Sequence, residues 1–147
     1  MVTDPHTDPP TELGRTFTIL ITDDDRGSRE TLAGLLADRG FPTLQASSGE
    51  EAIEIVRVDI IHLVFFDMHM PRMTGLEALQ QVRLLNELLP AILVTADATR
   101  ELIRQALQAQ VYSVIPKPIN KNIVLHTLAR ALQQVYGPPP SDPPPGP

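Results

Sequence analysis

Three stretches of this chain, Thr18–Thr22 (TILIT), His62–Phe66 (HLVFF) and Ala91–Thr95 (AILVT), are nearly unbroken apolar runs. They are too short for helices and lack the alternation of a strand with one wet face. A strand of that kind must be covered on both sides, which in practice means a parallel sheet between layers of helix. The strand pattern extends to Phe17–Thr22, Pro42–Ala46, His62–Phe66, Ala91–Thr95 and Val111–Ile115.

Helical periods separate these runs. Ser28–Arg39 places Leu32, Leu35 and Leu36 on one face and stops at Gly40. Glu50–Val58 carries Ala52, Ile53 and Val56, and Gly75–Leu85 carries Leu76, Leu79 and Val82. Thr99–Gln108 carries Leu102, Ile103, Ala106 and Leu107, and Asn120–Tyr136 carries Ile123, Val124, Leu128, Leu132 and Val135. Strict alternation of strand and helix predicts an α/β fold, a doubly wound five-stranded parallel sheet with helices on both faces.

Proline marks the ends of this unit. Of 15 prolines, three precede residue 12 and seven follow residue 137. Residues 1–15 are therefore expected to be a disordered N-terminal tail, 16–136 the folded domain, and 137–147 a proline-rich tail or linker stub. Cysteine is absent, which excludes disulfides and thiolate metal sites. No apolar run approaches 18 residues, and the net charge of −6 disfavours direct nucleic-acid binding. A cytoplasmic protein is the expectation.

Ligands of open α/β sheets bind beyond the carboxyl ends of the strands. After the first strand come Asp23, Asp24 and Asp25; after the third, Asp67; after the fourth, Thr95 and Ala96; after the fifth, Lys117. Two like charges 4 Å apart repel by about 4 kcal/mol at an effective dielectric near 20, so such a rim calls for a neutralising partner. Hard oxygen ligands without thiolate suit Mg²⁺, or Mn²⁺. A carboxylate in that setting is a competent nucleophile toward phosphorus, with Lys117 and Thr95 available to the phosphoryl oxygens. Asp25 reads as the start of a helix rather than a ligand. His62 reads as solvent-facing at a strand start, and His126 as lying on the exposed side of the last helix.

The motifs ILITDDD, FFDMHMPRMTGLEAL, AILVTADA and PKP, in that order and spacing, resemble the receiver domain of two-component response regulators over about Phe17–Leu132. The resemblance implies a flavodoxin-like (βα)5 fold with strand order 2-1-3-4-5. It also implies a phosphorylation switch with Asp67 as phosphoacceptor. Asp24 would ligate Mg²⁺ directly, Asp23 mainly through water, and His69 through its backbone carbonyl. Thr95 with Ala96 would form the switch and phosphate-binding position, and Lys117 would precede a cis Pro118. The side chains of His69 and Asp97 would tune the lifetime of the phosphorylated state. The implied donor is a sensor histidine kinase or a histidine phosphotransfer protein, and the implied signal leaves through the α4–β5–α5 face to an output partner or effector domain. Such a protein catalyses only its own phosphotransfer and dephosphorylation and is not an enzyme in the usual sense.

The pattern is broken at two places. Val114 stands where the family has Tyr or Phe, and Gln110-Val111 replaces a Gly-Ala pair. Tyr112, two residues before Val114, would share its strand face by alternation; it reads as a plain edge-strand tyrosine, with a substitute surface signal as the alternative. These departures leave open a receiver-like binding module that needs no phosphate. A phosphatase of the haloacid dehalogenase type is a further alternative. It is disfavoured because His69, not an acid, lies two residues after Asp67 and because the acidic pair comes first in the chain.

Overall fold

The computed structural model describes residues 16–138. Five strands alternate with five helices: β1 (Ile19–Thr22), α1 (Arg26–Ala37), β2 (Thr43–Ala46), α2 (Gly49–Val58), β3 (Leu63–Asp67), α3 (Gly75–Leu85), β4 (Ala91–Thr95), α4 (Arg100–Gln108), β5 (Ser113–Pro116) and α5 (Lys121–Tyr136). All pairings are parallel, and the strand order is β2-β1-β3-β4-β5, as the resemblance implied. The expected tails, 1–15 and most of 137–147, lie outside the described residues.

The unbroken apolar runs feed two cores. Ile19, Ile21, Leu63, Phe65, Ile92, Val94 and Ile115 face α1 and α5. Leu20, Val64, Phe66, Ala91 and Leu93 face α2, α3 and α4. Alternation is thus present in space but invisible in composition, because both faces are dry.

Each helix opens on a side chain that caps its free N–H groups. Asp25 caps α1, Ser48 α2, Thr74 α3, Thr99 α4 and Asn120 α5. Thr74 and Glu77 form a reciprocal capping box, which orients α3 as it leaves the Asp67 loop. Gly75 is required at that point by space: a Cβ there would lie 2.5 Å from the Asp67 carbonyl oxygen.

Three expectations are corrected. His62 does not face solvent. It is half-buried, accepts a hydrogen bond from the Thr18 amide at Nδ1, and packs edge-on to Phe17 and Tyr136. Several residues placed on helix core faces are open to water, because the sheet covers a narrower stripe than the apolar pattern suggests. Ile103 and Leu107 of α4 and Ile123 and Val135 of α5 are exposed, whereas Leu102, Ala106, Val124 and Leu128 are buried. Tyr112 does not share a face with Val114. Regular β5 begins only at Ser113, after Gln110 at φ 58° and a bend at Tyr112, so alternation does not carry back. Tyr112 packs on the α1/α5 side and Val114 on the α2–α4 side. The exposed position expected of His126 is the one it occupies.

Candidate functional site

Parallel register sets the rim. Thr22 lies beside Ala46 and Phe66, Asp67 beside Val94, and Thr95 beside Pro116, so Asp23, Asp67, Ala96 and Lys117 emerge together at the carboxyl edge. Hydrogen bonds from the Asp23 amide to Ala46 O, Met68 to Val94 O, and Lys117 to Thr95 O extend the ladder to that edge. Asp23, Asp67 and Thr95 are buried; Asp24, His69, Ala96 and Asp97 are exposed.

Carboxylate oxygens of Asp23, Asp24 and Asp67 lie within 4.8 Å of one another. Lys117 Nζ is 3.0 Å from Asp23 Oδ2 and 3.7 Å from Asp67 Oδ2. One ammonium cannot balance three carboxylates, and the effect falls on Asp67. Burial raises its carboxyl most, the charge of Asp23 adds to that, and Lys117 and the His69 amide pull the other way, leaving it at about 6. Burial draws the Lys117 ammonium down, yet its hydrogen bond and charge pairing with Asp23, with help from Asp67 and Asp25, leave it raised. The cluster therefore has the oxygen donors, the spacing and the excess negative charge that fit a small divalent cation.

The surrounding loops are held by their own bonds. Asp25 donates its amide to Asp23 Oδ1 at 2.9 Å and accepts from the Ser28 amide at Oδ2 at 2.8 Å. Asp25 is the α1 cap, as its sequence position suggested. The His69 amide donates to Asp67 Oδ1 at 3.3 Å, which brings the His69 backbone to the rim while its side chain stays exposed. The Asp97 amide donates to Thr95 Oγ1 at 3.1 Å. The Lys117–Pro118 peptide bond is cis.

Sequence reasoning missed Arg29. Its Nη1 donates to the Asp23 carbonyl at 2.8 Å and its Nε to Gln45 Oε1 at 3.1 Å, pinning the β1–α1 loop to β2. An arginine on the first turns of α1, six residues from Asp23, was the only signal, and scattered arginines rarely carry one. Sequence reasoning also missed a cleft between α1 and the β5–α5 loop, where Gly27, Ser28 and Thr31 are small.

Comparison with known proteins points to one family. The family model of the response regulator receiver domain matches residues 19–129. The chain is 34% identical over 122 residues to the chemotaxis protein CheY of Pseudomonas aeruginosa, covering 81% of this chain and 98% of that one. It is 30% identical to the sensor histidine kinase RcsC of Salmonella typhimurium, covering 89% of this chain but only 14% of the relative. It is 31% identical to the transcriptional regulatory protein ZraR of Escherichia coli, covering 80% of this chain and 27% of the relative. The chain thus spans only a small part of those two larger proteins. Among solved structures, a CheY-like receiver domain protein from Methanospirillum hungatei superposes with a TM-score of 0.79 at 26% identity, covering 83% of this chain and 98% of that one.

Proposed function

Because the chain belongs to the response regulator receiver domain family, we propose that it is a phosphorylation switch in a two-component relay, with Asp67 as the phosphoacceptor. The observation that carries this reading is the convergence of Asp23, Asp24 and Asp67 within 4.8 Å, with Lys117 Nζ 3.7 Å from the Asp67 carboxylate.

The donor is a histidine kinase or a histidine phosphotransfer protein. An Asp67 oxygen attacks phosphorus, the bond from phosphorus to the donor imidazole breaks, and the imidazole leaves with its electron pair. Asp23, Asp24 and Asp67 would hold Mg²⁺ or Mn²⁺, with the His69 carbonyl as a backbone ligand. Bound there, the ion supplies positive charge to the phosphoryl oxygens. Lys117 pairs with the phosphoryl group, exchanging part of its hold on Asp23 for a new partner. Thr95, beside Ala96, offers its hydroxyl to a phosphoryl oxygen and reports on its presence. Exposed His69 and Asp97 flank the approach of water and set how long the acyl phosphate lasts.

The switch acts on an output partner or effector domain through α4, β5 and α5 and turns over no separate substrate. The functional unit is 16–136, with 1–15 as an N-terminal tail and 137–147 as a proline-rich tail or linker stub. A cytoplasmic setting suits this role, and no described helix is long and apolar enough to cross a membrane.

Incubating the full chain with Mg²⁺ and a small phosphodonor, followed by intact-mass detection, tests the proposal. Uptake of a single phosphoryl group by wild type and none by Asp67→Asn is expected. The departures at Val114 and Gln110 favour a second reading, a binding module independent of phosphate. Absence of uptake by wild type would shift the balance to that reading.

A further inference from the structure

The three carboxylates of the rim are not equally held. Asp23 is fixed at both oxygens, Oδ1 accepting from the Asp25 amide at 2.9 Å and Oδ2 from Lys117 Nζ at 3.0 Å. Asp67 accepts from the His69 amide at 3.3 Å and lies 3.7 Å from Lys117 Nζ. Asp24 is exposed, and among the described residues no donor is bonded to its carboxylate. It still brings an oxygen within 4.8 Å of those of Asp23 and Asp67. Where that oxygen can reach is therefore decided by the backbone that carries Asp24.

Arg29 holds that backbone. Its Nη1 donates to the Asp23 carbonyl at 2.8 Å, gripping the peptide that joins Asp23 to Asp24. Its Nε donates at 3.1 Å to Gln45 Oε1 on β2, the strand whose Ala46 carbonyl accepts from the Asp23 amide. The amide and the carbonyl of Asp23 are thus both anchored on one neighbouring strand. The planar guanidinium presents its donors in a rigid fork, so a single side chain fixes the direction of this link as well as its length. The choice of acceptor matters equally. An arginine bonded to a rim carboxylate would neutralise it and compete with a cation for its oxygens. Arg29 bonds the carbonyl and takes part in none of the ion pairs among the described residues, so the carboxylate oxygens stay open.

We propose that Arg29, braced on Gln45, is a positioning residue for the cation site: through the Asp23–Asp24 peptide it keeps the Asp24 carboxylate in reach of an ion shared with Asp23 and Asp67. The inference rests on reading the cluster as a Mg²⁺ site. Charge and positioning predict opposite signs. Removing a cation beside three carboxylates leaves them more negative and, by charge alone, tightens Mg²⁺. Removing a group that orients metal ligands weakens it, typically by about 10–100-fold.

Calorimetric titration of the full, chelator-treated chain with Mg²⁺ tests the sign. Arg29→Met keeps much of the side-chain length, loses both donors, and should weaken Mg²⁺ about tenfold or more. Arg29→Lys keeps the charge and one donor and should lose less. Gln45→Ala, at an exposed position, removes only the brace and should give a smaller loss in the same direction. Phosphoryl uptake from a small phosphodonor supplies a second readout. At saturating Mg²⁺ each variant should match the wild-type rate within about twofold, because only affinity is lost. Mg²⁺ affinity unchanged or tightened in Arg29→Met and Gln45→Ala would overturn the inference, as would uptake that stays slower than wild type at saturating Mg²⁺. If Arg29→Met does not fold, Arg29→Lys and Gln45→Ala decide by the same signs. Weakened Mg²⁺ affinity in variants of a wild type that takes up no phosphoryl group sinks only the phosphoacceptor. Normal wild-type uptake with unaltered Mg²⁺ affinity in the variants sinks only the role of Arg29.

Discussion

Asp67 holds its proton unusually tightly, since burial and Asp23 raise it from 3.8 to about 6 against the pull of Lys117. The sign of the consequence follows from linkage. A carboxyl with a raised folded-state value favours the fold fully below 3.8, and that contribution is lost as pH rises through about 6. In metal-free protein the ionised carboxylate then costs on the order of 2–3 kcal/mol. Asp67→Asn should therefore stabilise the metal-free fold at neutral pH by about 1–3 kcal/mol and have little effect at pH about 4. Urea denaturation with chelator at both pH values measures this; equal effects at the two would contradict it. Gly75 is a second single-residue constraint, because any side chain there meets the Asp67 backbone. Gly75→Ala should cost about 1–3 kcal/mol through overpacking and weaken Mg²⁺ binding by shifting the end of β3. Calorimetric titration with Mg²⁺, beside an unfolding curve, reads both effects.

Helix α4 depends on a neighbour for its C-terminus. Its last turn contains no basic residue of its own. Arg83 of α3 supplies one, donating Nη1 to the Ala109 carbonyl and Nη2 to the Gln110 carbonyl. Gln110 takes φ 58°, so this clamp also fixes the strained turn that leads into β5. Arg83→Met keeps much of the side-chain volume but removes both donors. It should cost about 1–2 kcal/mol and accelerate amide exchange of Ala109, Gln110 and Val111 more than that of β3. Uniform exchange across the two elements would argue against a local clamp. The same turn explains the misplaced Tyr112: period-two reasoning holds only within a regular strand, and β5 starts one residue too late for it.

For the molecule as a whole, the sheet is closed off below by the end of α5. Tyr136 donates its hydroxyl to the His62 carbonyl at 2.6 Å and lies against Phe17 and His62, with ring centroids 5.3 and 5.6 Å away. Leu132, one turn earlier, is buried in the α1/α5 core. A chain shortened to residues 1–131 should thus lose about 3–5 kcal/mol or more of stability. Chemical denaturation of this truncation beside the full chain decides it; matching midpoints would show that the α5 terminus is dispensable.

The strands, the helices and the identity of the rim residues were legible in the sequence because they follow from local rules. Unbroken apolar runs mark buried parallel strands, a 3.6-residue period marks helices, and chemistry collects at strand ends. The tertiary structure alone decided the rest, because it depends on groups distant in sequence. Lys117 finds Asp23 across 94 residues, Arg83 reaches α4 across 26, and His62 is buried by Tyr136, 74 residues away. The cleft beside Asp67 belongs to the same class. It is made of small α1 residues and a distant loop, and unfilled space has no signature in a linear sequence.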